Sequence, residues 1–504
     1  MKWTQRGAGI LMNYLTEGVK VLSVLLYTPL MLRLLGQQEY GLYQLAASVV
    51  SYLGLLNLGF GSGYVRYYSR YQVKGDRVGI ARLNGMFLLI FGALSLLCLL
   101  CGALLVTNAE LVFGEGLTAG EGKKAAALLK ILTANLALTL LCSVFDCHIA
   151  ARERFLFQKL LRLVQTVLSP FLTIPLLLMG FGSEAAAAVT LGLTAVQVLG
   201  NAVYCRKRLK MAFSFRNLRF SMLGELWRFT FFIFLNQVID QVNWNVDKFL
   251  LGRMQGTAAV AVYGIGAQIH SLYMQMSTAV SAVFLTKVNR VAARTGDNRE
   301  LSRLLAQVGR LQAMILMLLL SGFALFGRPF LHLWAGSGYE EAYPVALLLM
   351  VPITIPLIQN LGIEIQRARN RHRTRSAVCA CLAVGNVLLS VLLIPRWSCI
   401  GAAAGTAVSL LFGNVLFINW YYQKRLKLDM GLFWREILSL TPAWIPACLC
   451  GAVLAANWRI ESWGSLLMAA LVYSGVYAAF VCRCVEKQKK KRGQEGSCPR
   501  GIKR

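Results

Sequence analysis

The chain has 504 residues, 57% of them hydrophobic and 15% charged, and carries a formal net charge of +30 at neutral pH. A chain this apolar and this poor in charge is not a soluble enzyme of such length, and the bilayer is its implied solvent. The basic excess does not indicate nucleic acid, because Lys and Arg sit in short segments between apolar stretches of about 20 residues, the length that crosses a hydrocarbon core.

The first apolar stretch, 8–32, follows Lys2 and Arg6 and has the outline of a secretory signal. Glu17 and Lys20 interrupt it and no small-residue cleavage site follows, so it is expected to be the first span. Asn13, Glu17, Lys20 and Tyr27 share about a quarter of its helical circumference, opposite a leucine face. Further spans are expected at 41–65, 83–106, 126–149, 156–180 and 184–204, completing a six-helix lobe over 1–205. In the second, Gly59-Phe60-Gly61-Ser62-Gly63 follows no strand, so it reads as a close-packing surface and not as a dinucleotide fingerprint.

A basic connector, 206–224, leads to a second six-helix lobe over 225–425, with spans at 229–252, 258–286, 311–331, 341–365, 376–394 and 399–422. In the first of these, Gln237, Asp240, Gln241, Trp244, Asp247 and Lys248 share about a third of the wheel, opposite Val238, Val242, Val246 and Phe249. Two additional spans, 437–456 and 463–482 within 426–484, precede a basic tail, 485–504. Prolines at 29, 170, 175, 352, 356, 442 and 446 lie in or near spans, where a lost backbone donor permits bending. The expected fold is therefore an all-α polytopic membrane protein of about 14 transmembrane helices.

Charge sorting orients these spans. With the N-terminus inside, the cytoplasmic segments hold 42 of the 52 basic residues and the outer segments 8, namely Arg33, Lys123, Lys124, Lys130, Arg253, Arg328, Arg396 and Arg459. Lys20 and Lys248 fall within spans. A bias in phase over seven successive loops predicts that both termini are cytoplasmic, in a plasma (inner) membrane.

Sliding the chain on itself by 220 positions superposes Arg33, Gly36 and Tyr43 on Arg253, Gly256 and Tyr263, and after one insertion Gly75-Asp76 on Gly296-Asp297. An even number of spans separates the copies, so the two lobes form a parallel repeat about the membrane normal. The polar stripes of spans one and seven occupy equivalent positions. Ionisable groups at that depth cost several kcal/mol unless paired or hydrated, so the stripes are expected to face one wet cavity. The competing reading is an i,i+3 pair, Glu17 with Lys20, stapling one helix. Lys20 and Asp240 coincide under the offset and form a candidate gate pair.

Candidate residues for cargo or ion coupling are thus Glu17, Lys20, Gln237, Asp240, Gln241, Asp247 and Lys248, with Arg33, Arg66, Arg228 and Arg253 at the cavity entrance. No Gly-x4-Gly-Lys-Ser/Thr occurs and no cofactor is expected, save a possible coupling ion, H+ or Na+. The four histidines form no ligand set, and the 13 cysteines, mostly in spans, read as small apolar packing residues.

At Leu32-Arg33-Leu34-Leu35-Gly36, Tyr40-Gly41-Leu42-Tyr43, Leu55-Leu56-Asn57-Leu58-Gly59 and Arg66 the sequence resembles the polysaccharide-biosynthesis or oligosaccharide flippases. These belong to the superfamily that includes multidrug extruders and lipid II flippases. The likeness continues through Asp247-Lys248-Phe249-Leu250-Leu251-Gly252, Val262-Tyr263, Leu333-Trp334-Ala335-Gly336, Asn386, Pro395 and Gly401-Ala402-Ala403, over about residues 8 to 425. It departs at Leu285-Thr286-Lys287, where members often carry proline, and at the more basic Gln366-Arg367-Ala368-Arg369. The resemblance implies two lobes alternating between inward-open and outward-open states. The implied cargo is a polyprenyl-diphosphate-linked oligosaccharide moving from cytoplasmic to outer leaflet, with membrane lipids and polysaccharide-assembly proteins as partners and no nucleic acid. A proton- or sodium-coupled multidrug or cation antiporter is the alternative, because the deep charges are of mixed sign. A membrane enzyme such as a glycan polymerase needs converging acid, base or nucleophile groups, and the longest outer segment, 107–125, has no such set.

Overall fold

The computed structural model describes residues 5–216, 218, 221–294, 297–368 and 373–496. Lys2, Gly296 and Arg369 of the sequence argument, part of the basic connector, and the tail from 497 onward lie outside them. Every regular element among the described residues is helical: α1 (Gln5–Leu53), α2 (Phe60–Val73), α3 (Arg77–Thr107), α4 (Ala109–Phe113), α5 (Ala119–Ala151), α6 (Phe155–Leu178), α7 (Gly182–Lys207), α8 (Ser221–Gln255) and α9 (Thr257–Arg294). There follow α10 (Asn298–Ala335), α11 (Ala342–Ile358), α12 (Asn360–Ala368), α13 (Arg373–Leu410), α14 (Ile418–Lys424), α15 (Met430–Leu438), α16 (Thr441–Asn457) and α17 (Trp463–Gly496).

Counted by length, with α1 and α13 taken as two crossings each and α11 with α12 as one, the described helices match the fourteen expected passages. Helix α1 holds two, broken at Gly36, whose φ of 75° and ψ of 174° suit a residue without a side chain. Its second half continues into α2. Helix α13 likewise breaks at Ser398, and its second half runs through a π-helical stretch, Leu411–Phe417, into α14. Helices α11 and α12 form one span bent by 48°, with Pro352 and Pro356 shortly before the break. Nine described stretches are long and apolar enough to cross a membrane, two of them, at 59 and 48 residues, long enough for two crossings each. The polar face of α8, which includes Asn236, Gln237, Asp240 and Gln241, keeps that helix out of this group.

By contacts the chain divides into two compact units. Unit 1 comprises Met1–Gly264 and Val387–Ala402, and unit 2 comprises Ile265–Asn386 and Ala403–Arg504. Within unit 1, α3 and α7 pack on α5, α1 packs on α6, and α8 lies against α1 and α2. Its aromatic core includes Tyr64, Tyr68, Phe87 and Phe91, with the Tyr64 and Phe87 rings edge to face at 5.1 Å. The glycine-rich stretch of α2 serves close packing: a Cβ on Gly63 would stand 1.9 Å from Leu226 Cδ1, and Gly59, at φ 68°, opens α2 against Ile233. Within unit 2, α10 is the hub, contacting α11, α15, α16 and α17, and Arg310 of α10 pairs with Glu436 of α15 at 3.1 Å. The expected repeat opens near 225, whereas α8 packs with unit 1. A repeat boundary marks where sequence copies begin, and a contact boundary marks where packing thins.

Candidate functional site

All eleven candidate residues fall in unit 1, seven of them on α8 and the rest on α1 and α2. Along α8 the stripe runs from exposed to buried. Asp240 is exposed, Gln237 and Gln241 are half-buried, and Asp247, two turns beyond Asp240, is 1% exposed. Gln241 donates to the Ser51 hydroxyl of α1. The amide oxygen of Gln237 has no hydrogen-bond partner among the described residues.

Asp247 and Lys248 are adjacent, so the helix points them about 100° apart. The two side chains settle in different surroundings. Asp247 accepts hydrogen bonds from the Tyr263 hydroxyl of α9 at 2.7 Å and the Ser390 hydroxyl of α13 at 2.8 Å. A carboxylate removed from water needs such donors, and two hydroxyls meet much of that need. Lys248 donates to the neutral Gln44 side chain of α1 at 3.2 Å and forms no salt bridge among the described residues. The site thus holds an acidic and a basic side chain on consecutive residues, the first bonded to two hydroxyls and the second to a neutral amide.

On α1 the arrangement is different. Lys20 Nζ lies 4.0 Å from Glu17 Oε2, and the two side chains are 54% and 49% exposed. In this structure the ion partner of Lys20 is therefore in its own helix. Arg33, Arg66, Arg228 and Arg253 are all exposed. Two of them share a neighbourhood, because Tyr67, next to Arg66, donates at 2.8 Å to Glu225, one turn before Arg228, and Gly63 packs on Leu226. The ends of α2 and α8 are joined there, with both arginines at the junction.

Sequence reasoning did not find Ser390, Gln44 or Ser51, the neutral partners of the stripe. None has a periodic signal linking it to α8; Ser390 is 143 positions from Asp247. It also missed a buried network in unit 1. Tyr64 donates to Asn84 at 2.6 Å and lies 2.8 Å from His148 Nδ1, while Asn84 donates to the Ala212 carbonyl at 2.8 Å and Ser214 N donates to the Ala81 carbonyl at 2.9 Å. These bonds tie the basic connector to α3. They hold the His148 ring buried against Tyr64.

Nine or more apolar, membrane-length stretches with polar and ionisable side chains on α1 and α8 define a polytopic membrane fold, and comparison with solved structures gives the transporter class of that fold. The lipid II flippase MurJ in its inward closed conformation superposes with a TM-score of 0.74, covering 94% of this chain and 98% of that one at 15% identity. An inward-facing multidrug resistance MATE family transporter of the MOP superfamily superposes at 0.61, covering 81% and 96% at 16% identity. Residues 30–344 match the family described as polysaccharide biosynthesis protein, and the chain belongs to that family. Among curated relatives, the uncharacterized membrane protein EpsK of Bacillus subtilis is 24% identical over 477 residues, 92% of each chain. A putative O-antigen transporter of Shigella flexneri is 19% identical over 403 residues, covering 77% of this chain and 91% of that one.

Proposed function

We propose that this chain flips a polyprenyl-diphosphate-linked oligosaccharide from the cytoplasmic to the outer leaflet by alternating access, for cell-surface polysaccharide assembly. The observation that carries the reading is Lys248, an ammonium within a span whose polar partner is a neutral amide. An uncompensated cation in low dielectric is costly and favours an anionic ligand, and the diphosphate of a lipid-linked sugar is one. Membership of the polysaccharide-biosynthesis family and similarity to proteins named as O-antigen transporter and lipid II flippase support the same cargo class. Arg66 and Arg228 are proposed as the first contact at the cytoplasmic face, while the polyprenyl tail stays in lipid. The decisive experiment is deletion of the gene: a lipid-linked oligosaccharide should accumulate in the cytoplasmic leaflet and be cleared by the wild-type chain. A normal leaflet distribution after deletion rules the function out.

Asp247 favours a coupled carrier, whether of this cargo or, in the alternative reading, of drugs or cations. A fully buried carboxylate held by two hydroxyls suits reversible binding of H+ or Na+. Transport into vesicles under an imposed Na+ or proton gradient separates the two ions, and competition between lipid-linked sugar and organic cations separates the two cargos.

The proposed site is the plasma (inner) membrane, with both termini and the connector cytoplasmic and polysaccharide-assembly proteins as neighbours. Lys210→Cys in a cysteine-free background should resist impermeant thiol reagents from outside. Labelling of intact cells at that position overturns the orientation.

A further inference from the structure

Unit 2 contains a cavity of about 730 Å³ unrelated to the α8 stripe. It is framed by the last turns of α10, the Gly336–Glu341 connection, the first half of α11, and the stretch around Ala407 and Leu411 where α13 passes into π-helix. Its volume lies within the ~300–1,000 Å³ range of small-ligand sites. Its wall is apolar: Leu347, Leu348, Pro352 and Ala407, with Val351 and Leu411 exposed on membrane-length helices. One end is not. Arg328, His332, Glu340 and Glu341 gather there, on the side that the charge sorting of the loops assigns to the exterior.

Among the described residues no salt bridge joins the charges at this end, Arg328 and Glu341 included. The described contact of the Arg328 guanidinium is with the Tyr343 ring at 5.1 Å. That ring is itself fixed, its hydroxyl donating to the Ala324 carbonyl at 2.6 Å. Glu340 accepts from the Gly338 amide at 3.1 and 3.2 Å, and the amides of Glu340 itself and of Gly338, with a smaller contribution from His332, hold its carboxyl below the usual carboxylate range. Tyr339 also lines the cavity, and its buried hydroxyl has no hydrogen-bond partner among the described residues. An apolar trough therefore ends in a cation and two carboxylates held apart, with an unsatisfied hydroxyl nearby.

We propose that this cavity binds one zwitterionic phospholipid of the ethanolamine type, phosphate to Arg328, ammonium to Glu340 and Glu341, and an acyl chain along Leu347, Leu348 and Leu411. Opposite charges on one rim match a head group carrying both, and the apolar wall matches the chain beside it. A phosphoglycerol lipid offers the two carboxylates no cation, only hydroxyl donors. A free diphosphate or a sugar offers nothing to the wall. The site is separate from cargo handling, and the proposal stands or falls apart from it.

The test uses the full chain in phosphatidylglycerol vesicles doped with a phosphatidylethanolamine bearing a photoreactive diazirine on one acyl chain, followed by peptide mapping. Adducts should concentrate at 344–352 and 407–417. Excess unlabelled phosphatidylethanolamine should suppress them about tenfold, and an equal excess of phosphatidylglycerol should not. Glu341→Gln, a surface change that leaves the fold intact, should abolish that preference, and Leu348→Trp should lower labelling by filling the trough. Equal competition by both lipids overturns the assignment, as does uniform labelling of all spans. Displacement only by a lipid-linked diphosphate sugar also overturns it, giving the cavity to cargo.

Discussion

Helices α1 and α8 open the two copies of the expected repeat, and each carries an acidic and a basic residue close together, Glu17 with Lys20 and Asp247 with Lys248, where the bilayer interior should be. In α1, Glu17 and Lys20 sit 4.0 Å apart with about half of each side chain exposed. In α8, Asp247 and Lys248 diverge, the first to Tyr263 and Ser390 and the second to Gln44. The energetic consequences differ by an order of magnitude. An exposed i,i+3 pair contributes a few tenths of a kcal/mol, because water solvates both members nearly as well apart. A buried charge depends on each donor it has, and losing one leaves a desolvated group that costs about 1–3 kcal/mol. Equivalent places in a repeat therefore need not have equivalent roles: α8 holds charge that the fold must support, and α1 holds charge that is free to move.

The strongest way to break this contrast is to remove the α8 charges. Asp247→Asn keeps the shape and some hydrogen bonding, so the protein should insert and purify normally while glycan export falls by about tenfold or more. Lys248→Met should do the same, and Lys248→Arg should retain part of the activity. Export at wild-type level in Asp247→Asn would end the coupling role. The supporting hydroxyls come next. Tyr263→Phe and Ser390→Ala should each lower stability in detergent by about 1 kcal/mol, read as a lower melting temperature, because each removes one donor from a buried carboxylate. If both unfold like wild type, Asp247 does not depend on them.

A smaller effect is expected at the junction of α2 and α8. Arg66→Gln and Arg228→Gln remove single charges from a cytoplasmic face rich in them, so insertion should be unchanged. Export should fall a few-fold for each and further for the pair if they receive the diphosphate. Unaltered export in the double variant reduces them to topology or lipid anchors.

What was legible in the sequence follows from what is local. Span positions, the packing role of Gly59 to Gly63 and the polar face of α8 depend on residues within a few turns of one another, and periodicity records them. Gly36, placed between two apolar stretches, marked the break that lets one long helix hold two spans. The depth of each member of the stripe was not legible. Asp240 and Asp247 are two turns apart on one face, yet one is exposed and the other is buried where Tyr263 of α9 and Ser390 of α13 reach it. Nor was the unit 2 cavity, whose lining comes from α10, α11 and the end of α13, with a charged end that sequence counting had filed only as an outer loop.

The smallest effect on stability, and the one that sharpens the comparison most, belongs to α1. Neutralising either Glu17 or Lys20 should change the melting temperature little, since the pair contributes only about 0.2–0.5 kcal/mol. Transport discriminates further, because the 220-residue register sets Lys20 opposite Asp240, itself an exposed group on α8. If Lys20 exchanges Glu17 for Asp240 in another state of the cycle, Lys20→Gln should impair export while Glu17→Gln should not, although both break the same bond. The exchanged pair Lys20→Asp with Asp240→Lys should then recover part of what each single reversal loses, a coupling that a merely structural Lys20 would not produce. Equal, slight effects of both neutral variants, with no recovery in the exchange, would leave Glu17 and Lys20 as a staple within one helix and remove the gate.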